Sequence, residues 1–194
     1  MDLEIRNYHS EDEEEWLKCH MLIDLEAIGG ELLKKKPKYE DKSIELVATL
    51  YGNIIGFLDI ELENSPGKIC HLKVKGSGML WDIGVLKEYR RQGIATKLLK
   101  EGIGRAKKEE AKRLEAWTIE EDAKRFYERL GFKKFYEYHH VLVNKRKKLK
   151  TLDKDGMHII NVYAHVMPDT NIDSIVEKYE PKKFYVCTGF EISV

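Results

Sequence analysis

Residues 79–99 read MLWDIGVLKEYRRQGIATKLL, and this stretch decides the fold. Residues 79–86 are apolar except for Asp82 and Gly84, the pattern of a largely buried strand. A helix then opens near Ile94, with Ile94, Ala95, Leu98, Leu99, Ile103 and Ala106 on one stripe. Between them, Arg90-Arg91-Gln92-Gly93 makes a tight turn onto the helix N-terminus, where several backbone N–H groups lack an intrahelical partner. With the helix dipole they form an anion site suited to phosphate or pyrophosphate. Gly93 and the small Ala95 leave room for such a group, and Arg90 and Arg91 add positive charge. The same residues would also build an ordinary strand-to-helix turn with exposed arginines, so the turn alone leaves both readings open. No GxxxxGK[ST] occurs, and Gly102-Ile103-Gly104 lies inside the helix without a third glycine. A P-loop and a dinucleotide fingerprint are therefore excluded.

Outward from this stretch the elements are readable. Residues 2–8 alternate as a strand, and Ser10 with Glu13 fits a capping box for a helix running to about Ile28. That helix would bury Leu17, Met21, Leu25 and Ile28, and Gly29-Gly30 would stop it. Strands at 43–50 and 54–62 form an antiparallel hairpin, followed by a loop over 63–78. Residues 113–119 alternate as another strand. Thr118 and Glu121 suggest a second capping box, opening a helix with Ala123, Phe126, Tyr127 and Leu130 on one face and a stop at Gly131. Strands over 132–144 and 157–167 flank the basic run KRKKLK, read as an exposed hairpin tip, and a helix (171–179) and strand (183–192) follow. His139 and His140, adjacent in a strand, point to opposite faces, so at most one can face a site.

The chain has 194 residues, with 34 basic and 34 acidic side chains and 42% hydrophobic residues. The balance of charge indicates a solvated surface rather than disorder, and it lacks the basic field of a dedicated nucleic-acid binder. Neither a signal peptide nor a bilayer-length apolar run is visible, which predicts a soluble, cytoplasmic protein with no membrane partner. Cys19, Cys70 and Cys187 are scattered, without the spacing of a disulfide framework or a metal site.

The stretch IGVLKEYRRQGIATKLL resembles motif A of the GNAT superfamily of acyl-CoA-dependent N-acetyltransferases: Arg90, Gly93 and Ala95 meet its signature. DAKRFYERLGF (122–132) is similar to the motif B helix, at the family's spacing. The resemblance implies a mixed α/β (α+β) fold, with a mostly antiparallel central sheet flanked by helices and splayed between strands 79–86 and 113–119. It implies acetyl-CoA as co-substrate, with no metal. The pantetheine would pair with backbone around Ile83, Gly84 and Val85. The pyrophosphate would sit over Arg91, Gln92, Gly93, Ile94, Ala95 and Thr96 beside Arg90, and Ala123 and Phe126 would complete the cofactor contacts. Tyr127 matches the motif B tyrosine that protonates the departing thiolate, although its spacing also suits a core aromatic. Glu120 departs from the asparagine common at its position, which puts that contact in doubt.

Transfer to nitrogen also needs a base, because an ammonium has no lone pair. Asp82 interrupts an apolar strand, on the face opposite Trp81, Ile83 and Val85, and is the candidate. The alternatives are an aspartate bonded to a loop and one that binds a cationic acceptor without taking its proton. The expected activity is direct acetyl transfer to an amine of a small molecule, antibiotic or peptide, with Trp81 and Trp117 suited to an amphipathic amine. A non-catalytic acyl-CoA sensor is the alternative, and an RNA-associated module using KRKKLK a third. Residues 1–167 are read as the transferase domain. Residues 168–194 are a helix–strand extension of unassigned role, covering the acceptor cleft or making a homodimer contact.

Overall fold

A computed structural model describes residues 3–28, 32–144, 161–167 and 169–194. The chain forms two compact units, Met1–Lys133 with Phe190–Val194, and Lys134–Gly189. The elements are β1 (Leu3–Asn7), α1 (Glu13–Asp24), β2 (Lys42–Leu50), β3 (Asn53–Leu62), β4 (Ser77–Val85), α2 (Ile94–Lys108), β5 (Arg113–Thr118), α3 (Glu121–Arg129), β6 (Lys133–Asn144), β7 (Asn161–Val166), α4 (Ile172–Tyr179) and β8 (Lys183–Ser193). This is the expected mixed architecture of mostly antiparallel strands with helices. Among the described residues, no helix is long and apolar enough to cross a membrane.

In the first unit, β1-β2-β3-β4 are antiparallel neighbours, and β5 joins β4 in parallel. The helix–strand–helix connection α2–β5–α3 follows from the periodicities. Ile94, Leu98, Leu99 and Ala106 of α2 are buried against Leu58, Ile60, Leu80 and Leu114 in the main core. The last residues of the chain complete this core. Phe190 is buried against Tyr127, and Glu191 pairs with Arg113. Phe190–Val194, at the end of the expected extension, thus belong to the first unit. In the second unit, β6 and β7 pair antiparallel from His139↔Val166 to Asn144↔Asn161. Asn171 caps α4 by accepting from the Asp173 and Ser174 N–H groups. The KRKKLK run lies outside the described residues.

Several expectations need correction. The inward face of α1 carries Trp16, Cys19 and His20, whereas Met21, Leu25 (69%) and Ile28 are exposed. Trp16, at i, with Cys19 and His20 at i+3 and i+4, fills the second core around Val47, Ile54 and Phe57. The aliphatic count pointed to the wrong stripe because it gave Trp and His no weight. Neither capping box forms as expected. Asp12 accepts from the His9 N–H and is held by Arg6, while the Thr118 hydroxyl accepts from the Glu120 N–H, so α3 starts three residues later.

The strict alternation expected of 79–86 also breaks. Asp59 pairs with Asp82 but Ile60 pairs with Leu80, leaving Trp81 as the extra residue of a β-bulge. Trp81 therefore does not share the face of Ile83 and Val85. Its indole N–H donates to Glu61, on the Asp59 face of the sheet.

Candidate active site

The pairing of β4 with β5 runs only from Ser77↔Arg113 to Leu80↔Ala116. Beyond it β4 remains paired with β3 as far as Val85↔Gly56, so only the β5 side opens. The Leu86 N–H is committed to the Ile55 carbonyl, and strand alternation turns the peptide groups of Ile83 and Val85 toward the gap. A cleft of about 1080 Å³ fills this splay. Its walls include the expected Asp82, Ile83, Gly84 and Val85 from β4, Arg90, Arg91, Gly93, Ile94, Ala95 and Thr96 from the turn, and Ala123, Phe126 and Tyr127 from α3. Gln92 is the exception. Its amide donates to the Glu88 carbonyl, and it does not line the cleft.

The turn has the backbone of an anion site. Gly93 sits at φ 79° and Arg91 at φ 64°. A left-handed arginine is uncommon and strained, and alternating left- and right-handed residues turn successive N–H groups toward one point. The Arg90 side chain is engaged inward: Nε donates to the Val85 carbonyl at 2.9 Å, and the guanidinium pairs with Glu26. It thus ties the segment that follows α1 to the end of β4 and braces the turn.

Tyr127 is buried at the cleft wall, its ring packed between Phe126, Phe132 and Phe190. Burial, and then the charge of Asp82, raise its pKa above the ordinary phenol value, so the hydroxyl keeps its proton. The two expected catalytic groups therefore lie within electrostatic reach of each other. Glu120 occupies the N-cap position of α3 without capping it, and its carboxylate accepts from the Ile28 N–H.

On the opposite side of Asp82 lies a residue the sequence reading passed over. His20 Nε2 is 3.1 Å from Asp82 Oδ2. Gly84 permits this closeness of α1 and β4: a Cβ there would meet Ile23 Cδ1 at 2.9 Å and Phe57 Cζ at 3.0 Å. Beneath them, Lys36 is buried with its ammonium 2.7 Å from Asp59 and 2.8 Å from Glu45, under the rings of Tyr8, Trp16 and Tyr39. Burial pushes Asp59 up to about 6 against the pull of Lys36. No signal in the sequence marked Lys36, one of several lysines in a loop.

Among the described residues no cluster could hold a metal ion, and the three cysteines are buried and form no disulfide. His139 stacks on Phe184, while His140 meets His165 across the β6–β7 pair.

The fold recurs in solved acetyltransferases. A GNAT-family acetyltransferase of Streptococcus pneumoniae superposes with a TM-score of 0.64 at 18% identity, covering 100% of both chains. A putative streptothricin acetyltransferase of Bacillus anthracis, solved with acetyl coenzyme A, gives 0.56 at 16%, again over 100% of both. The PaiA N-acetyltransferase of Thermoplasma acidophilum, in complex with coenzyme A, gives 0.55 at 18%, covering 70% of this chain and 92% of its own. No curated protein sequence matches the chain. The profile of the "Acetyltransferase (GNAT) family" matches residues 3–132, more than half of the chain and the whole of the splayed cleft. With the splay, the left-handed turn and this match together, the chain belongs to the GNAT family of acetyltransferases.

Proposed function

We propose that the chain transfers the acetyl group of acetyl-CoA directly to a primary amine, with Asp82 as the base and Tyr127 as the acid. The observation that carries this reading is that one cleft brings the strained turn, the released edge of β4, Asp82 and Tyr127 together. The residues fit the co-substrate. The left-handed turn at Arg91–Gly93 suits a pyrophosphate, and the Ile83 and Val85 peptide groups suit an extended amide chain. Acetyl-CoA supplies an activated acyl group, whose bond to sulfur is exchanged for a bond to nitrogen.

The protein's own groups do the rest. Asp82 receives the ammonium proton and frees the nitrogen lone pair. A backbone N–H on the β4 edge polarises the acyl oxygen where negative charge develops. Tyr127 holds a proton at the sulfur, and its apolar surroundings favour a neutral thiol over a thiolate. Holding both reactants in one cleft makes the attack effectively unimolecular, so no covalent acyl-enzyme is needed. Burial pushes the Cys19 thiol up to about 12, which leaves it a poor nucleophile. The acceptor is proposed to be a small-molecule or peptide amine, and the working compartment the cytoplasm.

Calorimetry with acetyl-CoA, followed by thiol release over a panel of alkylamines, polyamines, aminoglycosides and lysine peptides, tests the reading. Saturable binding and turnover with one amine class are expected. Absence of binding at millimolar acetyl-CoA overturns it, and binding without turnover supports the sensor instead.

A further inference from the structure

We propose that His20 and Asp82 act as one base, with His20 holding the proton that Asp82 removes from the acceptor ammonium and passing it toward Asp24. The inference rests on the transferase reading above and assigns a residue that neither family motif contains. The geometry is that of an oriented pair. His20 Nε2 faces Asp82 Oδ2 at 3.1 Å, and Nδ1 lies 3.7 Å from Asp24 Oδ2. The imidazole cannot turn freely, because it packs against both Trp16 (4.8 Å, 26°) and Phe57 (5.5 Å, 22°), which also touch each other. Its side chain is only 8% exposed, whereas Asp82 is 35% exposed and lines the cleft, as does Asp24. Asp82 thus meets the substrate, His20 stands behind it, and Asp24 offers a second opening to the cleft.

The groups around the pair favour a proton on the imidazole. Asp24 and Cys19 come from α1, Asp59 from β3, and the phenols of Tyr39 and Tyr127 face Asp82 from the loop and from α3. The thiol and both phenols stay neutral, and Lys36 compensates Asp59, so Asp82 and Asp24 dominate. Burial disfavours the imidazolium. The Asp82 hydrogen bond and charge, with Asp24 behind, more than offset this and raise the His20 pKa above its ordinary value.

The protons balance. Above its raised pKa the His20 imidazole is neutral and able to receive: one N–H bond of the ammonium breaks, its proton passes through Asp82 to His20, and the imidazolium releases it to water beside Asp24. The second proton leaves the nitrogen as the new C–N bond forms and replaces the one Tyr127 gives to the sulfur. Products are the acetamide, the free thiol and one proton delivered to water. His20 touches no substrate; it is a positioning and proton-holding residue acting through Asp82.

The test uses the full chain, acetyl-CoA and the best amine of the panel. In His20→Gln, which keeps a donor toward Asp82 but cannot titrate, kcat at pH 7 should fall about 10- to 100-fold with unchanged acetyl-CoA affinity. The acid limb of its pH profile should move down toward the carboxylate range, and the deficit should narrow at high pH, where the amine is already free. Independently of turnover, imidazole NMR should show His20 titrating above the free value of about 6.5 in the wild type and dropping back in Asp82→Asn. A wild type that turns over while His20→Gln keeps its rate and profile overturns the His20 assignment alone. A His20 titration indifferent to Asp82→Asn overturns it as well. A wild type that acetylates no amine overturns the activity itself.

Discussion

At the scale of single residues, the site depends on where protons sit. Tyr127 is buried, its pKa is raised and its ring is locked among three phenylalanines, so its hydroxyl is a fixed neutral donor. Tyr127→Phe removes that proton and little volume. Turnover should fall about 100-fold, while calorimetry should find acetyl-CoA affinity within twofold of wild type. Unchanged turnover would remove Tyr127 as the acid. Lys36 is structural in a different sense. Its ammonium compensates Asp59 and Glu45 inside an aromatic cage, and Lys36→Met leaves the buried carboxylates without a counter-charge. Urea denaturation at pH 8 should show a loss of about 3 kcal/mol. The loss should shrink at pH 5, because Asp59, already raised to about 6, then takes a proton and loses its charge.

At the scale of elements, strand β3 shows what periodicity does and does not reveal. Its second half, LDIEL (58–62), alternates, and Leu58 and Ile60 do face the main core. The polar positions are not in solvent, however. Asp59, Glu61 and Glu63 follow one another on the other face, all buried. Asp59 binds Lys36, Glu61 accepts from the Glu40 and Asp41 N–H groups, and Glu63 accepts from those of Gly67, Ile69 and Cys70. These carboxylates hold two long loops against the sheet by satisfying their backbone donors. A pattern of twos records only that a side chain is polar. It cannot say whether a distant loop will cover it. The turn between β4 and α2 is the opposite case, because its glycine is locally required. Gly93 is left-handed with open space where a Cβ would stand. Gly93→Ala should therefore cost about 1 kcal/mol of stability through backbone strain alone. Its effect on acetyl-CoA should be larger, with calorimetry showing about tenfold weaker binding. Full affinity in this variant would argue against a pyrophosphate on the turn.

At the scale of the whole molecule, the paired histidine makes stability depend on pH. The folded-state pKa of His20 is raised above its unfolded value, so the pair's contribution is complete below about pH 6.5 and is lost as the pH rises through the folded pKa. Urea midpoints of wild type and His20→Gln should differ most near pH 6 and converge at alkaline pH. A gap that widens with pH would contradict the assignment. The order of elements and the glycine turn were legible in the sequence, because each rests on spacing within a few residues. The splay and the expected cleft residues, all but Gln92 of which line the cleft, came instead from the resemblance carried by the two motifs. His20 was not legible, being 62 residues from Asp82 and masked by an aliphatic stripe of which Met21, Leu25 and Ile28 proved to be exposed. Nor was the bulge at Trp81, since a skipped partner exists only once β3 is paired with β4. The sequence by itself determined the family, the anion-binding turn and the pair Asp82 and Tyr127 as candidates. Only the tertiary structure decided what surrounds them, because the proton affinity of a carboxylate is set by burial and by charges brought from far along the chain.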